Sequence, residues 1–214
     1  MAYLFGFDIE TGGPVVDKHP LLAVGFCIYH WDLNEELILM DTCEVHLAGK
    51  EEDYDPDTLK WWSQQATWET VKSDTIEPAL AAERLIAFIK GWQTKAHDEG
   101  KDFYTITDNC WFDDTWLSPF LCRHGGLPMR YSYINSFTRP RFAADISQYI
   151  FALRLFGIDI PEIPGGDHTP VADAKCIVQQ YVQICKTAKA FKPLIKPAIK
   201  PAIKPPQPPK PPAS

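Results

Sequence analysis

The chain begins with an apolar run, "AYLFGFDIE" at residues 2 to 10, that ends with two acids flanking one isoleucine. Side chains alternate across a strand with period two, so Asp8 and Glu10 project from one face and Ile9 from the other. The run therefore predicts a buried strand whose far end presents two carboxylates together. A second run, "LLAVGFCIYHW" at 21 to 31, is followed by the turn "DLN" and a third strand pattern, "EELILMDTCEVHL" at 35 to 47. Links this short predict an antiparallel meander.

The period then changes. "DPDTLKWWSQQ" at 55 to 65 places an acid and Pro56 at a helix start, and residues 77 to 100 repeat Leu80, Ile86 and Ile89 at helical spacing before Gly100. "DFYTITDN" at 102 to 109 reads as a fourth strand. "FDDTWLSPFLCRHGG" at 112 to 126 reads as a helix closed by Gly125 and Gly126 despite Pro119. A strand after a long helix, followed by another helix, predicts parallel addition to the sheet. "YSYI" at 131 to 134 is the expected fifth strand, with helices at 143 to 157 and 169 to 190 after it. The order predicts an α/β fold, a meander plus parallel strands.

At 214 residues, one domain is expected, over residues 1 to 185. The segment 186 to 214 is a different polymer: its closely spaced prolines oppose helix and sheet, predicting an extended, disordered Lys/Pro-rich tail. The tail changes the charge picture. The formal charge is −7, but the tail holds seven lysines and no acid, so residues 1 to 185 carry −14. Nucleic-acid binders usually carry a basic footprint, so a body this acidic would need metal ions or a local basic patch to hold a polyanion. Six cysteines without a C-x-x-C pair, and an N-terminus without a charged-then-apolar leader, lead to the expectation of an intracellular, cytoplasmic protein with reduced thiols. No apolar run reaches the ~18 to 20 residues of a membrane span.

Two further clusters give the first pair of acids a context. "NCWFDDTWL" puts Asn109 and Asp113 at a helix start directly after the fourth strand, where open sheets bring residues to a crevice. "HTPVADA" puts His168 and Asp173 in the spacing H-x-x-x-x-D at the start of the last helix. Four acids and a histidine that converge suit two divalent cations. Mg²⁺ takes carboxylate oxygens and substrate phosphate, and a pair of ions roughly 4 Å apart stabilises both oxygens of an in-line displacement at phosphorus.

D-I-E-T, then N-x-x-F-D, then H-x-x-x-x-D, in that order over roughly residues 3 to 180, resembles the DEDDh family of 3′-to-5′ exonucleases. "DTLKWWSQQ" is further similar to the T-L-x-W-W-x-x-Q segment of a compact branch of exoribonucleases and a phage exonuclease. The resemblance implies a ribonuclease H-like fold, with a mixed five-stranded sheet flanked by helices. It implies Asp8, Glu10, Asp113 and Asp173 as ligands of two Mg²⁺ or Mn²⁺. It implies His168 as general base, a role that an imidazole titrating near neutrality suits. Asp113 is favoured over Asp114 because it directly follows Phe112 and has Leu117 one turn later.

Other residues carry two readings. Asp145, in "AADIS", reads as a structural acid or a helix cap. Gly12 and Gly13 either let the backbone approach a terminal nucleotide or make a turn. Trp111 either stacks on a base or packs, and Trp61, Trp62 and Trp68 read as mostly core. The expected function is hydrolysis of phosphodiester bonds at a free 3′ end, releasing nucleoside monophosphates. Single-stranded DNA is slightly favoured over RNA. The alternative of another class is a noncatalytic nucleic-acid-binding or scaffold module. The tail is open to two uses, weak electrostatic contact with nucleic acid or docking to an aromatic groove of a partner.

Overall fold

A computed structural model describes residues 1–32, 36–126, 144–161 and 163–191. Five strands form one sheet: β1 (Ala2–Thr11), β2 (Leu21–Trp31), β3 (Leu37–His46), β4 (Asp102–Thr107) and β5 (Ala144–Asp145). The helices are α1 (Pro56–Trp62), α2 (Trp68–Lys72), α3 (Pro78–Asp98), α4 (Cys110–Gly125), α5 (Ile146–Leu155) and α6 (Pro170–Phe191). The strand order is β3-β2-β1-β4-β5. β1 pairs antiparallel with β2 and β2 with β3, whereas β4 runs parallel to β1 and to β5. This is the mixed sheet expected from the sequence.

The period-two pattern of β1 divides the core. Tyr3, Phe5, Phe7 and Ile9 face one apolar layer, with Leu85 and Ile89 of α3 and Trp116 and Leu117 of α4. Ala2 and Leu4 face the other, with Ile177, Val178 and Val182 of α6. Gly6 continues this second row, and an added methyl there would lie 2.5 Å from Val178 Cγ2 and 2.8 Å from the Ala174 carbonyl. Glycine lets α6 press directly on β1. Asp8 and Glu10 are the next two members of the same row, where it leaves the apolar layer.

Local signals explain most helix ends. Asp55 caps α1, its carboxylate accepting from the Thr58 amide at 3.0 Å, with Pro56 in the first turn. Gly126 closes α4 in the left-handed region, at φ 65°. Gly157 follows α5 at φ 72°. The buried face of α3 is Ala81, Ala82, Leu85, Ile89 and Ala96, so Leu80, taken from the sequence as part of that face, is instead exposed. The small alanines carry the inward stripe and shift it one position from the larger leucine.

Residues 131 to 134, expected as the fifth strand, lie outside the described residues, and the fifth strand of the sheet is Ala144–Asp145. Helix α6 continues to Phe191, into the lysine-rich stretch. The six cysteines are free thiols. Among the described residues, no helix is long and apolar enough to cross a membrane.

Candidate active site

β1 and β4 are parallel, and β1 runs on to Thr11 past the end of β4 at Thr107, so the C-terminal edge of the pair opens a crevice of the kind that holds ligands in α/β sheets. β1 delivers Asp8 and Glu10 to it. β4 ends at Thr107, and the next residues, Asp108 and Asn109, lead into α4. Asn109 caps that helix through Oδ1, which accepts from the Phe112 amide at 3.3 Å. The cap fixes the first turn, and the first turn carries Asp113, only 2% exposed, whose carboxylate accepts from the Thr107 hydroxyl. Asp114 accepts instead from Ser118 of its own helix at 2.7 Å. The geometry thus brings Asp113, not Asp114, to the crevice.

The third contribution comes from α6. Asp173 lies in its first turn, and Oδ1 accepts from the Gly166 amide at 2.6 Å. A side chain at Gly166 would collide with that oxygen, so glycine is required for the loop to fold back onto it. His168 follows with φ 59°, in the left-handed region that non-glycine residues seldom adopt. The strained backbone turns its ring toward the crevice. One ligand atom each from Glu10, His168 and Asp173 lie within 4.8 Å of one another, and the same holds for Asp8, Asp108 and Asp113. All five residues expected from the sequence as catalytic therefore converge, and Asp108 joins them.

Like charges gathered in this way raise one another's pKa. Burial, and then the charges of Asp113 and Glu10, hold Asp8 well above the usual carboxylate range. Burial and the Asp173 charge push Glu10 up to about 8, and burial takes Asp113 to about 8 against the opposing Thr107 hydrogen bond. Asp108 and Asp173 are also raised, chiefly by burial. Oxygen donors crowded at this spacing, and held above their normal range, have the chemistry of a divalent-cation site. Each of the two groups offers ligand atoms close enough together to hold a metal ion.

Asp8, Glu10, Asp108 and Asp173 line an open cavity of about 450 Å³. Ile146 and Ile150 of α5, Ile163, and Ile177 of α6 also line it, together with Ser147 and Gln180. Asp145, read from the sequence as a structural acid or cap, caps α5 by accepting from Gln148 N at 3.0 Å and also accepts from Cys110 N at 3.3 Å. It ties the starts of α4 and α5 together beside the cavity.

The remaining sequence candidates fall around the rim. The Gly12 amide donates to the Pro20 carbonyl at 2.8 Å, and Pro20, His19 and Asp55 fill the space a side chain would need at Gly12 or Gly13. Loop packing alone accounts for glycine at both positions. Trp111 is 81% exposed and so is not a packing residue. Of the three tryptophans read as core, Trp62 is buried, with its indole N–H donating to the Thr11 carbonyl at 3.0 Å. Trp61 departs from that reading. It is 40% exposed and meets the His168 ring edge to face, with centroids 5.0 Å apart. Trp62 anchors α1 to the end of β1, and the adjacent residue is thereby held against the histidine.

No protein-family model matches the sequence, and no curated protein matches it. Solved structures do. E. coli Exonuclease I in complex with a dT13 oligonucleotide superposes with a TM-score of 0.56 at 15% identity, over 90% of this chain and 42% of that one. Another Exonuclease I structure gives 0.55 at 14% identity, over 90% and 44%. The enzyme from Methylocaldum szegediense gives 0.51 at 14%, over 87% and 41%. The chain thus spans less than half the length of these proteins, and at this identity the likeness is one of fold.

Proposed function

We propose that the protein is a metal-dependent 3′-to-5′ exonuclease, acting on single-stranded DNA ahead of RNA and releasing nucleoside monophosphates. The observation that carries this reading is the convergence of Asp8, Glu10, Asp173 and His168 on one cavity, with the buried Asp113 grouped with Asp8 and Asp108. A noncatalytic module would have no physical reason to keep five carboxylates whose charges oppose one another. The sequence motifs supply the direction of attack by resemblance. The DNA preference takes support from the oligonucleotide bound in E. coli Exonuclease I.

Asp8 and Glu10 from β1, Asp113 from α4 and Asp173 from α6 would hold two Mg²⁺ or Mn²⁺, with Asp108 beside Asp8 and Asp113. When bound, such ions supply Lewis-acid stabilisation of the attacking and leaving oxygens. The chain's own part is positioning and proton transfer. His168, at the mouth beside Glu10 and Asp173, accepts the proton of the attacking water at a ring nitrogen. Thr107 and Gly166 hold Asp113 and Asp173 in fixed orientations through the hydrogen bonds described above. The lining isoleucines receive the apolar face of the terminal base, and the exposed Trp111 offers a stacking surface outside the cavity. Asn109, Gly12 and Gly13 shape the backbone on either side of the cleft.

Digestion of matched single-stranded DNA and RNA oligomers, with free or blocked 3′ ends, tests this reading. Mononucleotides should appear from free ends, faster from DNA, and a 3′ block should stop digestion. Rapid cleavage of a closed circular strand would overturn exonuclease action, and faster RNA digestion would reassign the substrate.

A further inference from the structure

Asp8, Gly25 and Glu44 are register partners across β1, β2 and β3. The row reads acid, no side chain, acid. The start of α6 lies in the gap, because a methyl at Gly25 would overlap the backbone of Pro170 and Val171. There the Val171 amide donates to Glu44 Oε2 at 3.1 Å, across 127 positions of sequence. A helix leaves its first amides without partners, and Pro170 has none to offer. The local candidate cap, Thr169, donates its hydroxyl to Asp167 instead, at 2.6 Å. A carboxylate from a neighbouring strand does the capping, at the positive end of the helix dipole.

The cap is itself held. Glu44 Oε1 lies 2.8 Å from His46 Nε2, and His46 Nδ1 lies 2.9 Å from the Ser73 carbonyl. Both ring nitrogens face acceptors, an arrangement the protonated ring satisfies on both sides, and the Glu44 hydrogen bond raises the His46 pKa. Glu44 is thus fixed on one side by His46 while it fixes Val171 on the other. Asp173 is two residues further along the same helical turn, and His168 lies three residues before Val171.

We propose that Glu44 is a positioning residue, setting from β3 the placement of the α6 start and hence of Asp173 and His168 at the cation site. The proposal rests on the reading of that cluster as a metal site. Glu44 belongs to neither of the two ligand groups, and acts through the helix. Outer partners of metal ligands typically change affinity about 10- to 100-fold when removed, and the lower end suits a contact made to backbone.

Calorimetric titration of Mn²⁺ into full-length protein, without nucleic acid, tests this in wild type, Glu44→Ala, Glu44→Gln and Glu69→Ala. Glu69 is an exposed acid of α2 paired only with Lys72 in the ion pairs described, so its removal changes net charge by the same amount at the cost of one surface ion pair. Glu44→Ala should bind about tenfold more weakly, whereas Glu44→Gln, which keeps an oxygen acceptor for Val171, and Glu69→Ala should bind within about twofold of wild type. Wild-type affinity in Glu44→Ala would overturn the proposal. So would equal weakening in Glu44→Gln, since charge rather than placement would then be acting. Should Glu44→Ala fail to fold, about tenfold weakening in Glu44→Gln would still overturn the proposal. A wild-type protein that binds no Mn²⁺ would instead defeat the metal-site reading on which the proposal rests.

Discussion

The two ends of β1 hold charge in opposite ways. At its start, Tyr3 donates to Glu99 at 2.8 Å, Lys101 pairs with Glu99 at 2.7 Å, and Lys101 also lies over the Tyr3 ring at 4.7 Å. The Lys101 hydrogen bond, and then that of Tyr3, hold Glu99 below the ordinary glutamate range, and Glu99 holds Lys101 above its own. At the other end, Asp8, Glu10, Asp108, Asp113 and Asp173 are all held above theirs. One strand thus carries a charge cluster whose signs are paired within the protein and one that gathers a single sign. A structural cluster pairs its signs, and this contrast separates a site from a surface network better than the number of acids does.

The largest expected effect breaks the single-sign end. Asp8→Ala, Glu10→Ala, Asp113→Ala and Asp173→Ala should each reduce nuclease activity to background, while Asp114→Ala, Glu99→Ala and Lys101→Ala should leave it within about twofold. The magnitudes follow from the metals' share of transition-state stabilisation. A mononucleotide-release assay on a labelled oligomer reads both sets. His168→Ala should lower kcat by about 10²- to 10⁴-fold, the range of a positioned general base. Trp61→Ala, which frees the histidine ring without removing it, should have a smaller effect.

The next effect concerns stability and pH. Glu10 and Asp113 stay protonated in the fold up to about 8 but ionise far lower when unfolded. These two groups therefore bind more protons in the folded state over that window, and their contribution to stability falls as pH rises from about 4 to 8. In chelator the melting temperature should drop across this range, and Mg²⁺ should recover it. Asp8→Asn should raise the melting temperature in chelator at pH 8 by several degrees, roughly 2–4 °C per kcal/mol for a chain of this size, and should reduce the response to Mg²⁺. A wild-type melting temperature that climbs from pH 5 to 8 in chelator would contradict the uncompensated cluster.

The opposite end has the opposite sign. Glu99 is lowered, so its contribution is present above the usual glutamate pKa and lost as pH falls through the depressed value. His46 behaves differently again. Its hydrogen bond to Glu44 raises it, so its contribution is complete below about 6.5 and fades as pH rises through the raised value. His46→Gln should lose that dependence in a melting series from pH 5 to 8.

How far these features could be read beforehand depends on their range along the chain. β1 was legible because its alternation is local, and Asp8 and Glu10 inherit their shared face from the same period. Asn109, Asp113, His168 and Asp173 were legible as spaced motifs at helix starts. Asp108 was missed because it read as the polar end of a strand, although three acids within seven residues of the strand end at Thr107 were a usable signal. Glu44 and Trp61 carry no local signal. Their contacts reach α6 and His168 across more than a hundred residues, and only tertiary packing reveals them. β5 is two residues long, too short for any period to show.

The smallest effect lies in the tail. Removing residues 192–214 takes away five lysines, and should weaken single-strand binding at low salt and flatten its salt dependence, with kcat unchanged. Equal salt slopes for the full and shortened chains would leave the tail without a part in substrate binding.

The most direct test follows a 5′-labelled single-stranded oligomer with wild-type and Asp8→Ala protein, each in Mg²⁺ and in excess chelator. The account predicts a ladder shortening from the 3′ end with wild type in Mg²⁺ and intact oligomer in the other three reactions. Undiminished shortening in chelator, or by Asp8→Ala, would contradict it.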